Sequence, residues 1–432
     1  MTDIKWMAEG PLRELTANVR RALLDRGVPS SDNTRRTVIE VIARVRTEGD
    51  TALRAFAREF DGVELGALEV PRAEWDRALA QLEGRVRGAL ERAASRIEHV
   101  HRAFAPRELA VTTHDGVVVT RRPDAYDQAG VYAPGGRAAY PSSLLMGVVP
   151  ARVAGVREVI VCSPPSATGT PSDIVLAAAA IGGAHRVFAV GGAGAIAAMA
   201  FGTETIPRVD RIVGPGNAFV AEAKLQVMRD VLIDSPAGPS ELFVIADDSA
   251  DPSSVAREVL AQAEHDPHAA VVVVSTDVRW ADACARAINN QIVGQRRADV
   301  IARALASRGG MLVADVAAAI AFASEYAPEH LLLALRDVDR WSARVRNAGT
   351  AFVGAGSSVS FGDYMTGANH VLPTGGYARA YSGLSTHDFV RWTTFQQTDR
   401  AAAARLASDT AVLADAEGLP AHASAALHWS TE

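Results

Sequence analysis

The chain has 432 residues, 48% of them hydrophobic and 22% charged, with a formal net charge of −6. That length is too great for one small core and fits about two to four domains of an ordinary soluble protein. The acidic balance argues against a nucleic-acid surface or a polybasic membrane face.

From the amino end, MTDIKWMAEGPLREL lacks the charged-then-apolar layout of a secretory signal. The first third reads as helical. Between Thr34 and Arg46, Val38, Val41, Ile42 and Val45 share one helical face, with Arg35, Arg36 and Arg44 off it. EGDTALRAFAREFDG predicts a second amphipathic helix closing at Asp61-Gly62, and a longer helix spans roughly Arg72 to His101. HDGVVVTRRP, 114–123, alternates like a strand. From about 130 to 245, short β-rich runs (Glu158–Cys162, Arg186–Val190, Arg211–Val213, Leu242–Ala246) alternate with Ala-rich helical runs, the order of a parallel sheet with crossover helices. Ser172 is an N-cap candidate for the helix through Ile181. The most apolar stretch, Val187 to Phe201, is broken by Gly191, Gly192 and Gly194, so it reads as a buried strand entering a helix rather than a membrane span. Cys162 and Cys284 are the only cysteines, too few for a disulfide framework or a thiolate metal site, which points to a reducing cytoplasm.

A second alternating unit follows: a helix at about 251–264, the strand Ala269–Ser275, a helix at about 279–292, a strand at Met311–Val313, a helix at about 315–326, then strand-like LLLAL and TAFVG. Beyond Gly375 the chain is polar and irregular, with helices near 386–398 and 399–416; it reads as an arm that packs on another body, such as a second subunit. The expected fold class is α/β, with two Rossmann-like parallel-sheet domains, an N-terminal helical region and a C-terminal dimerisation arm. The expected boundaries are 1–30 for the helical segment, 31–129 with 241–372 for the first α/β domain, 130–240 for the second, and 373–432 for the arm.

Several segments carry candidate chemistry. Glycine-rich turns in GVYAPGGRAAYPSS (130–143), GGAGAIAAMAFG (191–202) and VGPGNAF (213–219) join strand-like to helix-like runs, where backbone N–H groups can approach a phosphate. Each alone is an ordinary turn, and GGAGAIAAMAFG lacks the dinucleotide-fingerprint spacing; three at strand ends favour a nucleotide cleft. In LAQAEHDPHA, Gln262 and His265 fall on one helical face at a strand–helix rim, although taken singly they read as surface polar residues. Glu329-His330 stands at the mouth of an apolar strand, where a carboxylate beside an imidazole can do acid–base work; a solvated turn is the plain alternative. Asp363, Tyr364, Asn369 and His370 lie in the Gly-punctuated GDYMTGANHVLPTGG, and His422 follows Pro420 in the tail, where by itself it reads as incidental. An amide, a carboxylate and several imidazoles together suit a nitrogen/oxygen metal site.

These segments together resemble histidinol dehydrogenase. EGDTAL, VYAPGGRAAYPSSLLM, VPARVAGV, GPGNAFVAEAK, PAGPSE, AQAEHDP, PEHL, GDYMTGANHVLPTGG and GLPAH occur in family order over nearly the whole chain. The resemblance implies oxidation of L-histidinol via L-histidinaldehyde to L-histidine, the last steps of histidine biosynthesis, with two NAD used in one active site. It implies one zinc per subunit held by Gln262, His265, Asp363 and His422, with His330 as general base and Glu329 activating water. Ser240, His370 and Glu417 match substrate-contacting positions, as do His330 and the four zinc positions; Tyr132, Gly194 and Asn217 match cofactor-contacting ones. The zinc and acid–base residues fall in the first α/β domain and the NAD positions in the second. The resemblance also implies a cytoplasmic homodimer whose arm reaches the partner's site, placing Glu417 and His422 in trans. One departure stands out: the family's usual glutamine in the motif after VGGA is Gly194 here. Two rivals remain open at this point. One is a zinc/NAD dehydrogenase of another small polar alcohol, such as sulfopropanediol. The other is a non-catalytic metabolite-binding protein, whose mark would be a missing Glu329, His330 or zinc ligand.

Overall fold

The computed structural model describes residues 4–27, 31–135 and 139–430. Two parallel sheets organise it. One has six strands in the order Ala8–Pro11, Gly309–Val313, Ala270–Ser275, Glu241–Ala246, His330–Ala334 and Thr350–Val353. The other has five, in the order Arg186–Ala189, Glu158–Ser163, Gln128–Tyr132, Arg211–Val213 and Leu232–Ile233. Leaving Ala8–Pro11 aside, both sheets run 3-2-1-4-5 when their strands are numbered along the chain, so a doubly wound α/β unit occurs twice.

Strand side chains alternate between faces. Leu242, Val244, Val271 and Val273 meet residues of the helices Pro252–Ala263, Val278–Gln291 and Ala298–Arg308. Phe243, Ile245, Val272 and Val274 turn the other way, onto Leu23, Phe322 and Tyr326. With both faces covered, ELFVIA and AVVVVS are apolar almost throughout, which is what makes them legible as buried strands. The Phe243 ring lies 5.8 Å from Phe322 and 5.1 Å from Tyr326, centroid to centroid. Phe243→Ala should therefore cost about 3–5 kcal/mol, read from the denaturant midpoint.

In the five-stranded unit, the helices Pro141–Ala154 and Asp173–Gly182 cover one face, and Gly192–Phe201 and Ala218–Val227 the other. The change of side falls between the strands Gln128–Tyr132 and Arg211–Val213, which is the topological switch point of this fold.

The expected domain boundaries need correction. Residues 31–129 do not join the six-stranded unit: Val38, Val41, Leu53 and Phe56, and then Trp75, Leu90 and Ile97, pack into the two cores of the five-stranded sheet. The boundary at 130 also cuts through the strand Gln128–Tyr132. The segment 1–30 is not purely helical, since Ala8–Pro11 is an edge strand and Leu12 and Leu23 belong to the six-stranded unit. An amphipathic stripe announces that a face is buried but not against which body. The single helix expected from Arg72 to His101 is two, Arg72–Gln81 and Gly84–Ala103, and the helix Ala298–Arg308 was not foreseen.

The helix expected near 386–398 is a short 3₁₀ turn, Thr386–Phe389, followed by the strand Val390–Gln397. That strand pairs antiparallel with Val118–Ala125, which in turn pairs with Leu109–Thr112. The β-branched and aromatic run VRWTTF favours this pairing. The helices Arg400–Ala416 and Pro420–Leu427 share only a small alanine core, Ala411, Ala414 and Ala423, and leave Val412, Leu413, Leu419, Leu427 and Trp429 exposed. No described helix is long and apolar enough to cross a membrane. Cys162 and Cys284 are free and buried, and burial pushes both thiols up, Cys284 to about 12.

Candidate active site

The helix Val316–Tyr326 ends in a left-handed Ala327, with φ of 53°, and the chain then enters the strand His330–Ala334 at Glu329 and His330. Both side chains are buried, at 5% and 4% exposure, so their polar atoms must find partners. His330 Nδ1 donates to the Glu241 carbonyl at 2.9 Å and lies 3.3 Å from Glu329 Oε2. That bond leaves Nε2 as the uncommitted nitrogen, a lone pair in the neutral ring and an N–H in the imidazolium. Nε2 has no hydrogen-bond partner and lies 3.7 Å from Asp363 Oδ1. Burial lowers the pKa of this imidazole, but Glu329 and Asp363 outweigh it and raise the pKa to about 10, favouring the imidazolium; a cation held by Asp363 would offset that carboxylate and free Nε2 as a base. Asp363 answers in kind: burial pushes it up, while His330, His370 and His265 hold it below the usual carboxylate range.

Asp363 sits in the short helix Val359–Tyr364, whose first N–H, at Val359, is accepted by Glu258 of the helix Pro252–Ala263 at 3.0 Å. Gln262 is at the end of the latter helix, 3% exposed, and its Nε2 has no partner. His265 falls just beyond the helix end and is exposed; its Nδ1 donates to the Gln262 carbonyl at 3.2 Å, leaving Nε2 open. His370 Nδ1 donates to the Asp363 carbonyl at 2.7 Å, and its Nε2 accepts from the Ser143 hydroxyl at 3.1 Å. Burial lowers the His370 pKa and keeps the ring neutral for that exchange. Asn369 donates to the Met146 carbonyl at 2.8 Å, so GANH ties the six-stranded unit to the helix Pro141–Ala154 of the other. Tyr364 is 54% exposed at the rim.

Glu329, His330, Gln262 and His265 all occupy the amino edge of the six-stranded sheet. The rim reading of Gln262 and His265 holds, but this is the edge opposite to the one open α/β sheets usually employ. The five-stranded unit presents its carboxyl edge. Tyr132 ends a strand there, and its hydroxyl oxygen accepts the Gly192 N–H at 3.1 Å. Burial pushes that phenol up to about 12. Asn217 caps the helix Ala218–Val227, its Oδ1 accepting from Phe219 and Val220. A Cβ on Gly214, whose φ is +116°, would come within 2.2 Å of the Tyr132 carbonyl oxygen, so this turn excludes any larger residue. The buried pair Lys224–Asp234 pins the same turn, Asp234 accepting the Gly214 N–H at 2.7 Å and Lys224 donating to the Gly214 carbonyl at 3.1 Å. A Cβ on Gly194 would lie 3.3 Å from Leu53 and 3.4 Å from Phe56, so those two side chains close over the position. The middle of the 130–143 turn, residues 136–138, lies outside the described residues.

Sequence reading missed the floor of the site. Glu241 is 1% exposed and accepts from Arg26 at 2.9 and 3.2 Å and from the Gly375 N–H at 2.7 Å. Its own N–H donates to Glu329 Oε2 at 2.7 Å, and its Oε2 accepts the Glu329 N–H at 3.3 Å. Burial raises the Glu241 carboxyl and Arg26 pulls it back. A charge heading the apolar run ELFVIA is the same signal that marks Glu329, and it could have been found. Arg26, in DRGVPSS, carries no such mark. Ser240, one residue earlier, is half-buried at the same edge.

Glu417 and His422 are not part of this cluster. Both are exposed on the arm, and among the described residues neither side chain bonds to the other candidate groups. Nor, among the described residues, do three His, Cys, Asp or Glu side chains close on one point. What this chain gathers is an amide, an imidazole with a free nitrogen and a carboxylate. That donor set, with Gln262 binding through its amide oxygen, suits a borderline divalent ion, and a four-coordinate ion would take one further donor.

A family model described as histidinol dehydrogenase matches residues 24–428. The chain is 47% identical over 412 residues to a histidinol dehydrogenase of Halobacterium salinarum, covering 95% of this chain and 96% of that one. It is 44% identical over 388 residues to that of Methanosarcina mazei, 90% of each. The crystal structure of the histidinol dehydrogenase from Elizabethkingia anophelis superimposes with a TM-score of 0.94 at 34% identity, over 99% of this chain and 98% of that one.

Proposed function

Because the chain belongs to the histidinol dehydrogenase family and is an oxidoreductase, we propose that it oxidises L-histidinol through L-histidinaldehyde to L-histidine, with NAD and one zinc ion per subunit. The observation that carries this reading is the buried Glu329-His330 pair, whose one uncommitted nitrogen, His330 Nε2, faces the Asp363 carboxylate. Gln262, His265 and Asp363 would hold the ion, with His422 of a second copy as fourth donor. When bound, zinc would supply a charge that orients substrate nitrogens, and NAD an acceptor for each of two hydrides.

The rest is the work of this chain's residues. His330 Nε2 takes the alcohol proton as hydride departs from the carbon, since the two must leave together. Glu329, one oxygen fixed by the Glu241 N–H, takes a proton from water so that the aldehyde is hydrated before it loses a second hydride. Ser240, His370 and Glu417 would contact the substrate. Tyr132, Asn217 and the backbone at Gly194 would face NAD. The exposed apolar side chains of the arm and the missing fourth donor support a homodimer with exchanged arms. Two free, buried thiols suit the cytoplasm.

The test is NADH production from L-histidinol and NAD, with zinc counted by elemental analysis. Two NADH per L-histidinol is the expected result; turnover of a sulfonated diol but not of L-histidinol would overturn the proposal. His265→Ala should weaken zinc binding by at least about 10–100-fold, visible as less zinc per subunit after dialysis. Unchanged zinc would remove His265 from the ligand set.

A further inference from the structure

We propose that Glu241, secured by Arg26, is the positioning residue for the Glu329-His330 pair. The inference depends on the functional reading above only for its effect on turnover.

One residue touches the pair by three hydrogen bonds: its N–H to Glu329 Oε2, its carbonyl from His330 Nδ1, and its Oε2 from the Glu329 N–H. Through Oε1 it also takes the Gly375 N–H. Three separate motif segments, PAGPSE, PEHL and PTGG, therefore converge on it. Two of them, PAGPSE and PTGG, are joined once more where Thr374 Oγ1 accepts the Gly238 N–H at 2.5 Å.

The carboxylate form is required by this arrangement. Both oxygens accept N–H bonds from the backbone and from Arg26, so an amide in place of the carboxylate would turn an NH₂ group against other donors. Arg26, with a side chain 2% exposed, is committed as fully: it donates to Leu23 and Leu24 carbonyls at 3.3 Å and to the Tyr326 carbonyl at 2.7 Å, and stacks 3.3 Å over the Tyr326 ring. An interior ion pair adds little net stability compared with an apolar filling of the same shape, but it imposes strict geometry. Here that geometry selects which nitrogen of His330 is free and where it points. A displacement of the strand start by a fraction of an ångström would swing Nε2 away from a bound substrate.

The experiment uses the full-length protein and the variants Glu241→Gln, Arg26→Lys and Arg26→Met. Glu241→Gln should lower kcat for L-histidinol by about 10–100-fold with KM and zinc content near the parental values. Arg26→Met should follow it. Arg26→Lys, which keeps the charge but loses the fork, should lose only about threefold in kcat. In parallel, amide hydrogen exchange read by mass spectrometry should accelerate about tenfold in peptides covering 327–332 and 374–377 of Glu241→Gln, with 270–275 unchanged. Parental kcat per folded subunit, or faster exchange spread over the whole protein, would overturn the inference and leave the ion pair a structural tie. Should Glu241→Gln not fold, Arg26→Lys decides by the same two readouts, parental values of both overturning it. Exchange needs neither substrate nor cofactor, so a parent protein inert toward L-histidinol would sink the functional reading while the exchange pattern still decided the role of Glu241.

Discussion

His330→Ala is expected to lower kcat for oxidation of L-histidinol by about 10²–10⁴-fold, the usual worth of a well-placed general base. The expectation rests on position. His330 Nδ1 is committed to the Glu241 carbonyl, so Nε2 alone can accept a proton; of the other imidazoles near Asp363, His265 has an open Nε2 but is exposed beyond its helix end and is proposed as a metal ligand. His370 is near but spoken for at both nitrogens, by the Asp363 carbonyl and Ser143. His330→Asn makes a useful companion, since its side-chain N–H can keep the bond to the Glu241 carbonyl while removing the base; it should be as slow as alanine. Steady-state NADH formation, normalised to zinc-loaded subunits, measures both. A loss smaller than tenfold would assign proton removal to another group.

Glu329→Gln should separate the two oxidations. Glutamine can still accept the Glu241 N–H through its amide oxygen, so the loop and strand start stay in place. What disappears is the capacity to take a proton from water. Supplied with L-histidinaldehyde directly, the variant should turn over about 10²–10⁴-fold more slowly than the parent, while the first oxidation falls by a much smaller factor. Rapid-mixing NADH traces would show this as one fast hydride equivalent followed by a long lag. Equal slowing of both steps would move Glu329 out of water activation and into general support of His330.

What the sequence makes legible is local. ELFVIA and AVVVVS announce buried strands because both sheet faces are covered, and the amphipathic helical run between them announces a crossover. Glu329-His330 is visible because two ionisable groups at the head of an apolar strand demand an explanation. The partnership of distant pieces is not visible in this way. Val38 and Trp75 carry a clear helical stripe, yet nothing in that stripe says that it covers the five-stranded sheet. VRWTTF was misread because a short segment of mixed polarity takes its conformation from its neighbour, here Val118–Ala125, rather than from itself. Arg26 was invisible for the same reason: its role is defined by Glu241, 215 residues away.

The two units meet with opposite edges, the amino edge of one sheet facing the carboxyl edge of the other across the His370–Ser143 contact. In parallel α/β units the helix ends reverse with the edge. The helices Pro252–Ala263 and Val316–Tyr326 therefore bring their carbonyl ends, and a fractional negative charge, to the wall that holds Gln262, His265, Glu329 and His330. The helices Pro141–Ala154, Gly192–Phe201 and Ala218–Val227 bring their amide ends, and a fractional positive charge, to the wall that holds Tyr132, Gly194 and Asn217. The backbone alone thus polarises the crevice, one side favouring a cation and the other an anion, before any side chain is considered.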